Sequence, residues 1–346
     1  MKFQCKNLGP ISEATLDIKP LTVIAGKNQS GKSYITKMIY SMLRGSVKKL
    51  KDENPNMKTD FESFFNFSKV ADVFQANEPQ ELINHLQEIK SSTSILSDAP
   101  SPDKVKLIIN NKGIEEFSTT LLLKNNLKIN FLSSPVILDL EKAVSVYKEV
   151  YPNNFGVSDI YWDFIKDIRN IGQSRHQDKE LLIEIQEIVG GKYIYETGKG
   201  FSFVQNNNSY QTNLVAFGVK FFGMIYLLME RGLLEENDYL IIEEPENHLH
   251  PAYQLKMIEL LIHLAKKKRN IIITTHSPEI IRAIENSVNS GKISLDECSF
   301  LHMQESENGF FGTSASDMDT LYKISEDLTK AYYDLTVEGY QITEGK

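Results

Sequence analysis

Three short stretches of this chain carry residue types and spacings suited to chemistry on phosphates. The first, Gly26-Lys27-Asn28-Gln29-Ser30-Gly31-Lys32-Ser33, spells a complete phosphate-binding loop, G-x-x-x-x-G-K-[ST]. Gly26 and Gly31 let backbone N–H groups curl around phosphate oxygens, with Asn28 and Ser30 among the loop positions that hold the ligand. Lys32 can reach the outer phosphate oxygens, and the Ser33 hydroxyl can ligate Mg²⁺. The second stretch, Tyr239-Leu240-Ile241-Ile242-Glu243-Glu244-Pro245-Glu246, runs an apolar strand straight into carboxylates. Adjacent side chains at a strand end point in different directions, so the acids can divide the labour. One, Glu243, can serve the Mg²⁺ shell while Glu244 polarises an attacking water. The plainer alternative is an acidic cap for the helix after Pro251. The third stretch is Ile271-Ile272-Ile273-Thr274-Thr275-His276-Ser277-Pro278. A histidine at the same sheet edge can hydrogen-bond a terminal phosphate, while Ser277 or Thr275 can cap the following helix.

These residues need strands to aim them and helices to cover the strands. Leu21–Ala25 predicts a buried strand before the loop, and residues 34–43 have helical apolar spacing after it. Lys2–Cys5 and Glu13–Ile18 read as two further strands. From the end of the loop helix to about residue 100 the chain is polar, with a helical patch at Pro79–Ile89, and reads as an insertion of modest order. Lys104–Asn110, Glu116–Lys124 and Leu127–Leu132 look like three strands of one antiparallel sheet, turning at residues 111–113 and at Asn125-Asn126. Helices follow over Leu140–Val150, Tyr161–Ile171 and Lys179–Val189, then a hairpin of Lys192–Glu196 and Phe201–Gln205. Beyond Asn213, helices over Val219–Glu230, Tyr253–Lys266 and Pro278–Asn286 alternate with the two apolar strands. That pattern implies a parallel sheet covered on both faces. A strand pair, Lys292–His302 with Gly309–Gly312, and a helix over Leu321–Leu335 complete the chain.

Composition sets outer limits. The 346 residues suffice for one large or two moderate domains, and the net charge of −8 argues against a wholly basic nucleic-acid module. Basic runs at Lys48-Lys49-Leu50-Lys51 and Lys266-Lys267-Lys268-Arg269 read first as solvated helix ends. No stretch of roughly 18 apolar residues predicts a membrane span. Two cysteines, Cys5 and Cys298, are too few for a disulfide framework and fit a reducing cytoplasmic setting.

Taken with Glu243-Glu244-Pro245-Glu246-Asn247-His248-Leu249-His250-Pro251 and Thr274-Thr275-His276-Ser277, the phosphate loop resembles those of the ABC-type ATPases of the RecF, SMC and OLD-like group. The opening Asn7-Leu8-Gly9-Pro10-Ile11 is also usual there. The likeness covers roughly residues 1–46 and 185–335, and only order and length support it in between. It implies an α/β, ABC-type P-loop NTPase head with a mainly parallel core sheet, an antiparallel β-subdomain and a helical insertion. The expected divisions are 1–46, 47–184 and 185–346. It implies ATP and Mg²⁺ as ligands, with Lys32 and Ser33 on phosphate and metal and Glu243 in the Walker B place. Glu244 takes the place of the catalytic carboxylate, Asn247 to His250 that of the D-loop, and His276 that of the switch histidine. It further implies a homo-oligomer in which two heads sandwich two ATP molecules. The partner's signature segment completes each site, here Asn213 to Lys220 with Gly218 and Lys220 retained.

Two departures from the family pattern stand out. The Walker B acid is usually Asp, and Glu243 is one methylene longer. Ala216 and Phe217 stand where the signature has a small hydroxyl residue, a loss worth on the order of 1–3 kcal/mol of charge-assisted hydrogen bonding. Slow hydrolysis or an ATP-held assembly is therefore expected. About seventy residues follow His276, fewer than the Toprim domain of OLD nucleases needs, and no long heptad arms appear. Asp317 and Asp319 read as a solvated helix start in preference to a metal site. Such a compact head resembles ATPase subunits of PARIS- or Septu-type phage defence, where a separate effector, often a nuclease, does the damage. The alternatives are a RecF-like DNA-binding repair ATPase and a nucleotide-dependent scaffold that does not turn over.

Overall fold

A computed structural model describes residues 1–52, 67–84, 91–98, 101, 103–120, 127–151, 157–170 and 178–344. Its centre is a five-stranded, all-parallel sheet of β3 (Leu21–Ala25), β7 (Ile129–Leu132), β11 (Tyr239–Glu243), β12 (Asn270–Thr275) and β13 (Cys298–His302). Their order is β13-β3-β12-β11-β7. Strand residues alternate between two cores. Val23, Leu240, Ile242, Ile271 and Ile273 face one, while Ile24, Ile241 and Ile272 face the other. Apolar side chains on both faces explain why these strands read as continuous apolar runs. Helix α1 (Lys32–Asp52) covers the second face through Ile35, Met38, Ile39 and Met42. Helices α6 (Lys220–Glu230), α7 (Pro251–Lys266) and α8 (Pro278–Asn289) cover the first. Near-total burial makes α6 apolar all round, as a central helix should be.

A seven-stranded sheet lies beside this core, with β1 (Lys2–Leu8), β2 (Ile11–Asp17), β4 (Ser91–Ser97), β5 (Lys104–Asn110), β6 (Gly113–Thr119), β14 (Gln304–Ser306) and β15 (Gly309–Thr313). It is antiparallel except where β15 pairs with β2. β4, in a region expected to have little order, joins the inserted strands directly to β1. Its Ser-rich sequence hides the alternation, because Ser92 and Ser94 occupy inward positions beside Leu96. The sheet thus draws strands from both ends of the chain and from the insertion, across the expected division at residue 46.

Several other expectations are revised. Leu127–Leu132 does not complete the antiparallel sheet; β7 lies at the edge of the parallel sheet beside β11. All four of its residues are buried, and Asn130 donates to the carbonyls of Leu233 and Tyr239. Residues 298–302 pair in parallel with β3 and do not form a ladder with Gly309–Gly312. The patch at Pro79–Ile89 is a short 3₁₀ turn over Pro79–Leu82, and residues 85–90 lie outside the described residues, as do Asn125 and Asn126. The helices over 140–150 and 161–171 are α3 (Ile137–Val150) and α4 (Asp159–Asn170), preceded by α2 (Phe67–Phe74) and followed by α5 (Lys179–Val189). The hairpin β8 (Lys192–Glu196) and β9 (Gly200–Gln205) gains a third strand, β10 (Asn208–Gln211). The last helix, α9 (Met318–Glu344), is longer than expected, and Asp317 caps it by accepting the Thr320 N–H at 2.7 Å. Among the described residues, no helix is long and apolar enough to cross a membrane.

The phosphate loop is braced from below by the β1–β2 turn. Gly9 has φ +52°, and a Cβ there would stand 2.3 Å from the Tyr34 ring in the first turn of α1. Gly9→Ala should lower folding stability by about 2–4 kcal/mol in chemical denaturation, from left-handed backbone strain plus displacement of Tyr34. Gly198 has φ +83° but open space around it. Gly198→Ala should therefore lose only the strain, about 1–2 kcal/mol. Equal losses would mean that the Tyr34 contact is not what Gly9 serves.

Candidate active site

The site forms where β3, β12 and β11 end together. Parallel register sets Ala25 opposite Thr275, and Thr274 opposite Glu243. The residues that follow each strand therefore emerge along one edge, where open α/β sheets bind ligands.

From β3 the chain enters the loop Gly26–Ser33 and then α1, whose first N–H groups lack intrahelical partners. Gly31 has φ +87°, and a Cβ there would meet Ile11 at 2.5 Å, so the tight curve demands glycine. Gly26 leaves room for Met303 and Ser30 in the same way. Lys32 is buried and folds over the loop, donating to the carbonyls of Gly26 and Lys27 at 2.8 Å each. Burial pulls its ammonium below the ordinary lysine range, while the charges of Glu244, Glu246 and Glu243 pull it back. All three carboxylates thus act on one ammonium. Asn28 and Ser33 are exposed at the loop surface, and Ser30 Oγ is buried without a hydrogen-bond partner. An orphaned hydroxyl inside a glycine-rich curl suits a phosphate oxygen.

Glu243 closes β11 beneath the start of α1. Thr36 Oγ1 donates to its Oε1 at 3.0 Å. Burial pushes the carboxyl above its ordinary range, against the opposing pull of Lys37 and of hydrogen bonds from Ser33 and Thr36. Hydroxyl and carboxylate oxygens are hard donors of the kind Mg²⁺ prefers. Among the described residues, no three His, Cys, Asp or Glu side chains converge as a closed metal cage.

Glu244 has φ +47°, a left-handed conformation uncommon outside glycine and found at constrained functional positions. Its N–H donates to the Thr274 carbonyl at 3.0 Å, which fixes the turn. Asn247 Nδ2 donates to its Oε2 at 2.9 Å, and His276 Nδ1 lies 3.2 Å from its Oε1. The acids are not the cap of α7, since His250 Nδ1 accepts the Ala252 N–H there. Ser277 caps α8 through the Ile280 N–H, so His276 has no capping duty. The third carboxylate, Glu246, accepts hydrogen bonds from Thr275 Oγ1 at 2.6 Å and the His276 N–H at 3.1 Å. Burial raises its carboxyl above the ordinary range, with those hydrogen bonds and the His276 charge opposing.

Gly218 and Lys220 lie in another cluster. A Cβ on Gly218 would stand 2.5 Å from the His248 carbonyl oxygen, so the segment packs directly on residues 247–250 of its own chain. The Phe217 ring meets His248 edge-on at 4.7 Å between centroids. Lys220 is buried and donates to Asp139 Oδ2 at 2.7 Å, which commits its ammonium to α3. The structure thus brings Lys32, Ser33, Glu243, Glu244 and His276 into one constellation and sets Gly218 and Lys220 behind the loop 247–250. Sequence reasoning misses Thr36, Thr274 and the role of Glu246. Thr36 has a signal, because it sits one helical turn after Lys32 on the same face.

Three residues of the basic run Lys266–Arg269 have partners within the chain. Lys267 pairs with Asp178, Lys268 with Glu236, and Arg269 Nε donates to the Leu234 carbonyl. The side chains of the run at 48–51 lie outside the described residues.

The chain is similar to several known proteins. The AAA ATPase domain family matches the chain over residues 1–162 and 139–281. Over 61 residues the chain is 41% identical to the Septu protein PtuA of Bacillus thuringiensis, covering 17% of this chain and 15% of that protein. Over 75 residues it is 31% identical to the thiamine import ATP-binding protein ThiQ of Photobacterium profundum, covering 21% and 27%. The chain therefore matches well under two thirds of the length of these curated relatives. An SMC head bound to the C-winged helix domain of ScpA superposes with a TM-score of 0.55 at 12% identity, covering 93% of this chain and 98% of that one. A second Smc head, with an extended coiled coil and bound to the C-terminal domain of ScpA derived from Pyrococcus furiosus, gives 0.54 at 12% identity, covering 94% and 98%. Likeness at that identity speaks for the fold alone. The chain belongs to the AAA ATPase domain family and has the P-loop, ABC-type head fold of the SMC and RecF-like group.

Proposed function

We propose that the protein binds and hydrolyses ATP in a Mg²⁺-dependent way, and that ATP gates its assembly with a separate effector protein in anti-phage defence. The observation that carries the first part is the Glu244–His276 pair, 3.2 Å apart, at the sheet edge that also carries Lys32. In this reading, the loop from Gly26 to Ser33 grips the phosphates, with Lys32 exchanging its carbonyl partners for phosphate oxygens. Ser33 and Glu243 would hold Mg²⁺, which when bound neutralises charge on the outer phosphates. Glu244 orients the attacking water and takes its proton, and His276 donates a hydrogen bond to the terminal phosphate. Such groups act by being positioned before the reaction, in a site with little water to compete.

The Gly218 segment would complete the nucleotide site of a second copy, so a homo-oligomer follows. Phe217 cannot offer the hydroxyl that a signature usually supplies, and its ring is already engaged with His248. That substitution supports slow turnover. The 61-residue likeness to PtuA supports the defence setting. Ion pairing of Lys267 and Lys268 within the chain leaves less basic surface for a DNA duplex.

Two variants test the chemistry. Lys32→Ala should raise the Kd for ATP by roughly 10–100-fold in a calorimetric titration, the loss of one charge-assisted contact. Glu244→Gln should bind ATP as the parent does and release phosphate about 100-fold or more slowly. Equal release rates would remove Glu244 from catalysis. A wild-type turnover as fast as that of transport ATPases would sink the slow-turnover reading. Co-purification with the product of a neighbouring gene, strengthened by ATP in Glu244→Gln, is the expected sign of an effector. Salt-sensitive duplex binding stimulated by ATP would replace defence with DNA maintenance.

A further inference from the structure

Thr36 has no part in the function proposed above, yet it is wholly enclosed, at 0% exposure, with its hydroxyl against the acid that ends β11. That hydroxyl stands 3.0 Å from Glu243 Oε1, 3.2 Å from the Ser33 carbonyl and 3.4 Å from the Lys32 carbonyl. The two carbonyls belong to the preceding turn of α1, where a helical threonine often turns its hydroxyl. A hydroxyl has a single hydrogen to give. The carboxylate is the nearest of these acceptors, and a bond to an ionised oxygen is stronger than one to a carbonyl. The hydrogen therefore goes to Glu243. Ser33 hydrogen-bonds the same carboxyl. The two donors differ in what else they can meet. Ser33 is exposed, so its oxygen is open to a cation, whereas Thr36 is sealed off from one. Glutamate has one more rotatable bond than aspartate, and each torsion left free must be ordered when a ligand binds. A carboxylate already pinned at one oxygen meets a cation with that ordering done by folding.

We propose that Thr36 is a positioning residue for Glu243: its hydroxyl fixes the carboxylate beside Ser33, so that acid and serine present their oxygens together to a divalent cation. The inference rests on the place given above to Ser33 and Glu243 as cation ligands, and not on hydrolysis. Lys32 and Thr36 lie one turn apart on α1, so a single helix face carries both the loop lysine and the donor to the acid. The helix that begins at the phosphate loop thereby also sets the acid of β11.

The test reads cation binding directly, with Mg²⁺ titrated calorimetrically into the full-length chain carrying ATP, the protein in excess. Thr36→Val keeps the shape of the side chain and removes the hydroxyl. It should raise the Kd for Mg²⁺ by roughly 10-fold, while the Kd for ATP without metal stays as in the parent. Thr36→Ser restores the donor and should stay within about 2-fold of the parent. Glu243→Asp draws the carboxylate away from Thr36, so Glu243→Asp/Thr36→Val should bind Mg²⁺ as Glu243→Asp alone does. A packing role for Thr36 would lower the unfolding temperature of Thr36→Val and leave its Kd for Mg²⁺ unchanged, which overturns the proposal. A loss that Thr36→Ser fails to restore, or losses that multiply in the double variant, overturn it as well. Should Thr36→Val not fold, Thr36→Ala makes the same comparison without setting a methyl group against the acid. Protein that binds ATP and Mg²⁺ but releases no phosphate refutes the hydrolytic function, and these affinities still decide the place of Thr36. A protein–ATP complex that takes up Mg²⁺ no better than ATP alone overturns the cation site and this proposal with it.

Discussion

Everything at the candidate site hangs on the register in which β3, β12 and β11 pair. Ala25 sits opposite Thr275, and Thr274 opposite Glu243. A slip of one residue would turn every side chain of a strand to the opposite face. Here both faces are apolar, so alternation alone sets register weakly, and the ends must fix it. The Met303 N–H donates to the Ala25 carbonyl and the Glu244 N–H to the Thr274 carbonyl, which lock the strands where they leave the sheet. The left-handed turn at Glu244 is the consequence. It is held by the neighbouring strand together with the Asn247 N–H, which donates to the Glu244 carbonyl at 3.0 Å.

The site is a set of buried charges that compensate one another. Lys32 is drawn down by burial against the pull of three carboxylates, while Glu243 and Glu246 are driven up by burial against the pull of hydroxyl, backbone and cationic neighbours. The threonines Thr36, Thr274 and Thr275 supply much of the hydrogen bonding around these acids. An ion pair alone would repay desolvation poorly in such a setting, so the surrounding hydrogen bonds are what make the cluster tolerable. The same enclosure connects the edge that carries Glu244 to the rest of the molecule. Asn247 ties Glu244 to the loop 247–250, His248 meets Phe217 and Gly218, and Lys220 passes the contact on to Asp139 of α3. A continuous run of packed contacts therefore joins Glu244 to α3.

Short-range patterns in the sequence carry much of this. Glycines at 26 and 31, a lysine and serine after them, and apolar strands running into Glu243 and His276 are local signals, and the structure places all of them on one edge. Helices α5 to α8 are readable because their apolar spacing is long and their ends carry proline, glycine or serine. β4 is not, because serines fill its inward positions. β7 reads as part of the wrong sheet because four apolar residues are compatible with any buried strand, and only its neighbour β11 distinguishes them. The destination of β13 is hidden for the same reason.

By itself, then, the sequence determined the glycine-rich loop, the acids and the histidine, since each depends on backbone conformations and residue types set within a few positions. The tertiary structure decided who meets whom. It gave Glu244 two partners and His276 two carboxylates, and it left one oxygen of Glu246 unclaimed. It made Lys220 a buried partner of Asp139. These contacts join residues far apart in the chain, and their cost is desolvation, which exists only once the two cores have closed around the sheet.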